Sequence, residues 1–219
     1  GRLWKPEGRA IRRWLTNVRA IPADVLAQNR IGVDLGARYQ DRPDGMPRAL
    51  GAVLPTIADG RAVYAQIRVP HPDPDRPRYL NPRADLASNP KLTRMRPAER
   101  RHPEVIVTEG AIDALSAATA GYRAVGVLSA TYGDESVALA LARLPHPLVL
   151  AFDADDAGNA GGDRLAALLE ARDRTPVRLD LGTGDLNDAM RRSDDWPARL
   201  ESAVDRAMAT RSVGAGVER

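Results

Sequence analysis

Three aspartates close the segment VLAFDADDAG: Asp153, Asp155 and Asp156. Apolar residues precede them, so the segment reads as a buried strand ending in carboxylates. On an extended chain Asp153 and Asp155 point to one side, roughly 6–7 Å apart at about 3.3 Å per residue. Two carboxylates that close repel each other unless one is protonated or a cation lies between them. Glu109 follows another apolar run, Val105–Thr108, and can converge on the same place. Hard oxygen donors without His or Cys suit Mg²⁺ or Mn²⁺, not zinc. Asp156 stands where a helix begins and reads as its N-cap, and Gly158 admits a close approach of backbone or phosphate. The competing reading is that these acids only cap helices and solvate strand ends. It is the better one for a lone Asp-x-Asp, but Glu109, Asp185 and Asp188, all beyond apolar runs, weigh against it.

Such acids need a scaffold, and the second half of the chain supplies one. Apolar runs at Val105–Thr108, Ala124–Leu128, Pro147–Phe152 and Pro176–Leu181 alternate with the helix-like AIDALSAATA, ESVALALARL and DRLAALLEAR. Strands apolar on both faces, alternating with helices, predict a parallel sheet covered on both sides. Functional groups in such sheets gather at the carboxyl ends of the strands. The first half is less regular. Gly8–Leu15 and Pro22–Gln28 read as helices, and GAVLPTIADGRAVYAQIRV as two strands joined across Ala58-Asp59-Gly60. Pro70–Pro103 is dense in Pro and Arg and reads as a loop, and the final RSVGAGVER reads as a disordered tail.

Composition bounds the function classes. The 219 residues include no cysteine, which excludes disulfides, Cys-based zinc sites and thiol catalysis and fits a cytoplasmic protein. No apolar run approaches the roughly 20 residues of a membrane helix, and GRLWKPEGRA has no signal-peptide core. The net charge of +3 hides a division. Residues 1–103 hold 20 basic and 10 acidic residues, whereas residues 104–219 hold 12 basic and 19 acidic. Two subdomains with different partners account for the asymmetry, and an Arg-rich surface is a footprint for nucleic acid. A merely solvated charged face accounts for the charge equally well.

VTEGAIDAL and VLAFDADDAG resemble the two signature motifs of the Toprim fold, in the form found in DnaG-type primases and phage primase-helicases. GTGDLNDAM is similar to the third acidic motif of the primases. RPRYLNP, led by Arg76, resembles the Lys-Tyr-Leu-Asn stretch ahead of the primase Toprim region, and PTIADGRAVYAQIRV resembles its strand pair. The resemblance covers roughly residues 10–190. It implies an α/β chain with a Toprim domain over 104–193, a parallel sheet of about four strands with helices on both faces. A basic α+β subdomain over 1–103 precedes it, and a C-terminal helix and flexible tail over 194–219 follow.

The resemblance also implies a chemistry: short RNA primers made on single-stranded DNA by metal-dependent nucleotidyl transfer. Glu109, Asp153 and Asp155 take the catalytic positions. With Asp113, Asp185 and Asp188 they are the expected ligands of two or three Mg²⁺ or Mn²⁺ ions, with no zinc in this chain. The last motif reads Asp185-Leu186-Asn187-Asp188 where the primases more often have Asp-Pro-Asp, so Asn187 and Asp188 both stand as candidates for its final position. Arg76, Arg78, Tyr79, Asn81, Arg83, Lys91 and Arg94 are the expected contacts to template or nucleotide. The implied partners are a single-stranded DNA template, nucleoside triphosphates and a replicative helicase, with no membrane. A Toprim metal-dependent nuclease and a noncatalytic nucleic-acid-binding Toprim module are the rival readings.

Overall fold

The structure, a computed structural model, describes residues 1–36, 42–70, 77–128, 134–180, 182 and 184–214. The chain divides into two compact units, Gly1–Thr93 and Arg94–Arg219. In the first, helical turns at Arg2–Trp4 and Pro6–Gly8 lead into α1 (Arg9–Arg13), which continues as a π-helical turn over Trp14–Val18. The single helix expected over Gly8–Leu15 therefore changes its hydrogen-bonding pattern twice. Its apolar residues Ile11, Trp14 and Leu15 still fall on one face and are buried, as i, i+3, i+4 spacing requires. α2 covers Ala23–Gln28.

An antiparallel sheet completes this unit: β1 (Gly32–Leu35), β2 (Leu50–Ala58), β3 (Arg61–Arg68) and β4 (Tyr79–Leu80), in that order. The expected turn joins β2 to β3. Asp59 and Gly60 have φ of 49° and 77°, the paired positive values of a type I′ hairpin, which Asp-Gly tolerates. Pro55 sits inside β2 without breaking the sheet, because β1 pairs only with Leu50–Val53 and leaves that side of Pro55 without a strand partner. β1 and β4 carry no apolar run long enough to announce them in the sequence.

The second sheet has five strands: β5 (Leu92–Met95), β6 (Val105–Thr108), β7 (Arg123–Val127), β8 (Leu148–Ala151) and β9 (Val177–Arg178), in the order β5-β7-β6-β8-β9. The four expected strands pair in parallel, with β6 between β7 and β8 and with Thr108 in register with Ala151. Every residue of β6 and β8 is buried, so each Val, Ile and Leu there contributes about 1.5–3 kcal/mol. The helices are α3 (Ala111–Thr119), α4 (Glu135–Ala142), α5 (Asp156–Glu170), α6 (Leu186–Arg191) and α7 (Trp196–Gly214). They cover the sheet on both faces, with α3 packed on α6 and α4 on α5.

Three expectations change. β4 and β5 lie in the stretch that reads as a loop, where Arg and Pro interrupt the apolar pattern. The fourth parallel strand is two residues long rather than six. Helix α7 runs through Arg211–Gly214, where the sequence predicts a disordered tail, and residues 215–219 lie outside the described residues. Among the described residues no helix is long and apolar enough to cross a membrane.

Candidate functional site

β6 and β8 are neighbours in register, so the residues just past their ends emerge side by side. There the Asp153 backbone N–H donates to Glu109 Oε1 at 2.8 Å. Gly158, in the first turn of α5, closes over this contact. A Cβ at that position would lie 2.3 Å from the Asp153 carbonyl oxygen and 2.5 Å from Glu109 Oε1, so only glycine fits. Behind Glu109, the buried Thr108 hydroxyl donates to the Gly110 carbonyl at 2.9 Å and fixes the turn into α3.

Asp155, not Asp156, is the N-cap of α5: its Oδ1 accepts from Gly158 N–H at 2.7 Å. The expectation for Asp156 is displaced by one residue, because Asp155 has the extended backbone of a cap, φ −118° and ψ 173°, whereas Asp156 is already helical. Asp185 plays the same part for α6, accepting from Asp188 N–H at 2.6 Å. The Ala154 N–H donates to the Gly184 carbonyl at 3.2 Å and ties this third acidic segment to the loop after β8. Asp113 on α3 accepts from Asn187 N–H at 3.0 Å, while Asn187 is fully buried and its Nδ2 donates to Ser116 Oγ at 2.9 Å. Asp188 is partly exposed and ion-paired with Arg191 at 3.2 Å.

These acids act on one another. Burial first, and then the charges of Glu109, Asp185, Asp155 and Asp188, push the Asp153 carboxyl up from 3.8 to about 7. The Asp153–Glu109 and Ala154–Gly184 hydrogen bonds bring the three acidic segments together. Among the described residues, however, no three of them stand close enough to cage an ion by themselves.

The expected nucleic-acid contacts are placed separately. Arg76 lies outside the described residues. Arg78 is exposed, just before β4. Tyr79 on β4 lies with its ring centroid 5.1 Å from the Arg68 guanidinium. Asn81 accepts from Gln66 Nε2 at 2.9 Å. Arg83 is mostly exposed and pairs with Asp85 at 3.0 Å and with Asp44 at 3.4 Å. Lys91 has a positive φ of 61°, in a turn where its N–H bonds to Asn89. Arg94 points outward from β5 between the buried Thr93 and Met95.

Residues 106–190 match the family described as Toprim-like. This segment is a Toprim-like domain. No curated protein matches the chain. Among solved structures, the DnaG primase catalytic domain bound to single-stranded DNA matches with a TM-score of 0.73 at 19% identity, over 94% of this chain and 76% of that one. The RNA polymerase domain of Mycobacterium tuberculosis primase DnaG gives a TM-score of 0.69 at 18% identity, over 99% and 82%. The primase fragment of the bacteriophage T7 primase-helicase protein gives 0.59 at 18% identity, over 85% and 72%. The chain has the fold of DnaG primase catalytic cores.

The Toprim-like domain offers only carboxylate oxygens at the ends of β6 and β8, with no His or Cys among them, and this donor set fits a hard divalent cation.

The first unit holds a residue that the sequence does not single out. Arg68, at the end of β3, is only 5% exposed, and its guanidinium lies 6.0 Å from the Trp14 ring as well as against Tyr79. Burial lowers its pKa, with Tyr79 opposing and Arg19 adding to the shift. A charged residue at a strand end looks like solvent-facing punctuation in a sequence. Its one sequence signal is its place after the buried, alternating pattern of β3.

Proposed function

We propose that this chain is the catalytic core of a primase, a metal-dependent nucleotidyltransferase that makes short RNA primers on single-stranded DNA. The observation that carries the proposal is the meeting of Glu109 and Asp153 at the ends of adjacent parallel strands, in a Toprim-like domain within a DnaG-primase fold. Glu109, Asp153 and Asp155 are the catalytic carboxylates, and Asp113, Asp185 and Asp188 complete the ligands for two or three Mg²⁺ or Mn²⁺ ions. No zinc is required by this chain. A divalent cation held here would neutralise nucleotide phosphates and orient the attacking 3′-hydroxyl.

The chain's own part is positioning. One oxygen of Glu109 is spent on the Asp153 N–H, and one oxygen each of Asp155 and Asp185 on a helix N-terminus. Their second oxygens are thereby aimed by the backbone rather than by a flexible rotamer, and preorganised groups of this kind need little rearrangement during reaction. Mg²⁺ is commonly held by one or two carboxylates together with substrate phosphates. A set of carboxylates too dispersed to cage an ion alone agrees with a site that incoming nucleotide completes.

Arg76, Arg78, Asn81, Arg83, Lys91 and Arg94 are the proposed contacts to template or nucleotide phosphates. The Arg83 ion pairs are exposed and worth at most about 1 kcal/mol, so exchanging Asp44 and Asp85 for phosphate is inexpensive. Tyr79, already in contact with Arg68, orders this basic surface and can also present a ring to a base. The proposed partners are single-stranded DNA, nucleoside triphosphates and a replicative helicase, in the cytoplasm. Support comes from the similar DnaG domain bound to single-stranded DNA and the similar fragment of a phage primase-helicase.

The test is ribonucleotide incorporation on single-stranded DNA with Mg²⁺ or Mn²⁺. A primase lengthens product and needs ribonucleotides. Shortened DNA without ribonucleotides would transfer the same site to a nuclease, and neither outcome would leave a binding module.

A further inference from the structure

We infer that Asn187 is a positioning residue, which locks helix α6 onto α3 and so holds Asp185 and Asp188 beside Asp113 on the acidic side of the domain. The inference rests on the proposed metal-dependent reading of the acidic site. Helix α6 is six residues long, too short to hold its shape without tertiary contacts. It nevertheless carries Asp185 at its N-cap and Asp188 in its first turn. The segment that leads into this helix is tied to the loop after β8, because the Ala154 N–H donates to the Gly184 carbonyl at 3.2 Å.

Asn187 makes the ties that keep it there. It is 0% exposed, its backbone N–H donates to Asp113 Oδ1 at 3.0 Å, and its side-chain Nδ2 donates to Ser116 Oγ at 2.9 Å. Ser116 is itself fully buried and anchored twice. Its hydroxyl donates to the Ile112 carbonyl at 3.1 Å, and its own carbonyl accepts from the Trp196 indole N–H at 2.7 Å. Asp113, Asn187, Ser116 and Trp196 thus form a polar chain that runs inward from the acidic face through α3 to the first residue of α7. A buried amide deprived of its partner is costly enough to displace a one-and-a-half-turn helix.

This geometry separates the two candidates at the end of the third acidic motif. Asn187 spends its amide inward on Ser116, whereas Asp188, one residue on, is partly exposed and turns its carboxylate outward to Arg191. Asp188 is therefore the ligand candidate, and Asn187 holds it in place.

The decisive variant is Asn187→Asp, because the two roles predict opposite signs. A ligand at 187 would bind Mn²⁺ more tightly when given a charge. A positioning amide would bind Mn²⁺ more weakly, by about tenfold, since Asp loses the bond donated to Ser116 and sets a second carboxylate beside Asp113. Mn²⁺ affinity is read by electron paramagnetic resonance on the full chain, with single-stranded DNA affinity as the control for folding. Ser116→Ala, the milder variant, should weaken Mn²⁺ in the same direction, and adding Asn187→Ala to it should cost little more, because both changes break one bond. Hydrogen exchange in metal-free protein gives a second measurement. The amides of Leu186–Arg191 should exchange faster in Ser116→Ala. Tighter Mn²⁺ binding by Asn187→Asp, or unchanged exchange in α6, overturns the inference. Wild-type protein that binds no Mn²⁺ overturns the metal-dependent reading instead, and the exchange measurement still decides whether Asn187 locks the helix.

Discussion

The two units handle charge in opposite ways. In Arg94–Arg219 the acids proposed for catalysis sit at the ends of strands and at the caps of helices, so backbone geometry determines where they point. In Gly1–Thr93 the basic groups are at the tips of long side chains on an antiparallel sheet and its loops, held by rings, carbonyls and ion pairs, buried for Arg42–Asp34 and exposed for Arg83. The difference teaches that like charges are crowded by rigid backbone, whereas charges proposed to follow a polymer remain on flexible stems. The acidic unit should therefore be sensitive to small changes, and the basic unit tolerant and additive.

The sharpest way to break this contrast is Asp153→Asn. It should lower ribonucleotide incorporation by on the order of 100- to 1,000-fold while leaving the circular dichroism spectrum unchanged. A residual activity near that of the wild type would mean that the crowded acids are not the reactive ones. Next in size is Gly158→Ala, whose methyl group would overlap the Asp153 carbonyl and Glu109 Oε1. It should destabilise the fold by about 1–3 kcal/mol in urea titration. Gly1, with nothing within 4 Å of an added Cβ, should accept alanine without measurable loss.

The basic unit should answer more gently. Arg78→Ala with Lys91→Ala should weaken single-stranded DNA binding and make its log–log salt dependence shallower by about 0.7 for each phosphate that is no longer neutralised. Fluorescence anisotropy across salt concentrations reads this directly, and an unchanged slope would remove those two residues from the proposed interface.

The smallest effect concerns pH. The folded-state pKa of Asp153 is raised from 3.8 to about 7, so the folded chain holds that proton more tightly than the unfolded chain. Its contribution to stability is therefore greatest below about pH 4, declines as pH rises toward 7 and is level above. Because water screens a half-exposed group, the decline attributable to Asp153 is about 1–2 kcal/mol at most. Urea midpoints of wild type and Asp153→Asn, without metal, should diverge across this window, with the variant the more stable at pH 8.

The same contrast governs what can be read from the sequence. The parallel strands β6, β7 and β8 are legible because burial on both faces demands unbroken apolar runs, as in VIVT and LVLA. The placement of Glu109 and Asp153 follows from the strand ends. β1, β4 and β9 are missed or overlong because they are edge strands, where pairing on one side suffices and apolar pattern is not required. Asp155 as the cap is illegible because Asp155 and Asp156 satisfy the same propensity, and only backbone angles distinguish them. Buried Arg68 is illegible because nothing in a linear pattern reports that aromatic rings surround a guanidinium.

The double duty proposed for Asp155, helix cap and cation ligand, bears on how many amino acids could serve at that position. A helix cap asks for a short hydrogen-bond acceptor, which Asn or Ser also provides. A hard-cation site asks for a charged carboxylate, which Glu also provides. Each demand alone admits several amino acids, but their intersection holds one. Asn at 155 would keep the α5 cap and lose the charge, and Glu would keep the charge and set its carboxylate too far out to reach the Gly158 N–H. The tolerance of a single position thus measures whether one requirement or two act on it.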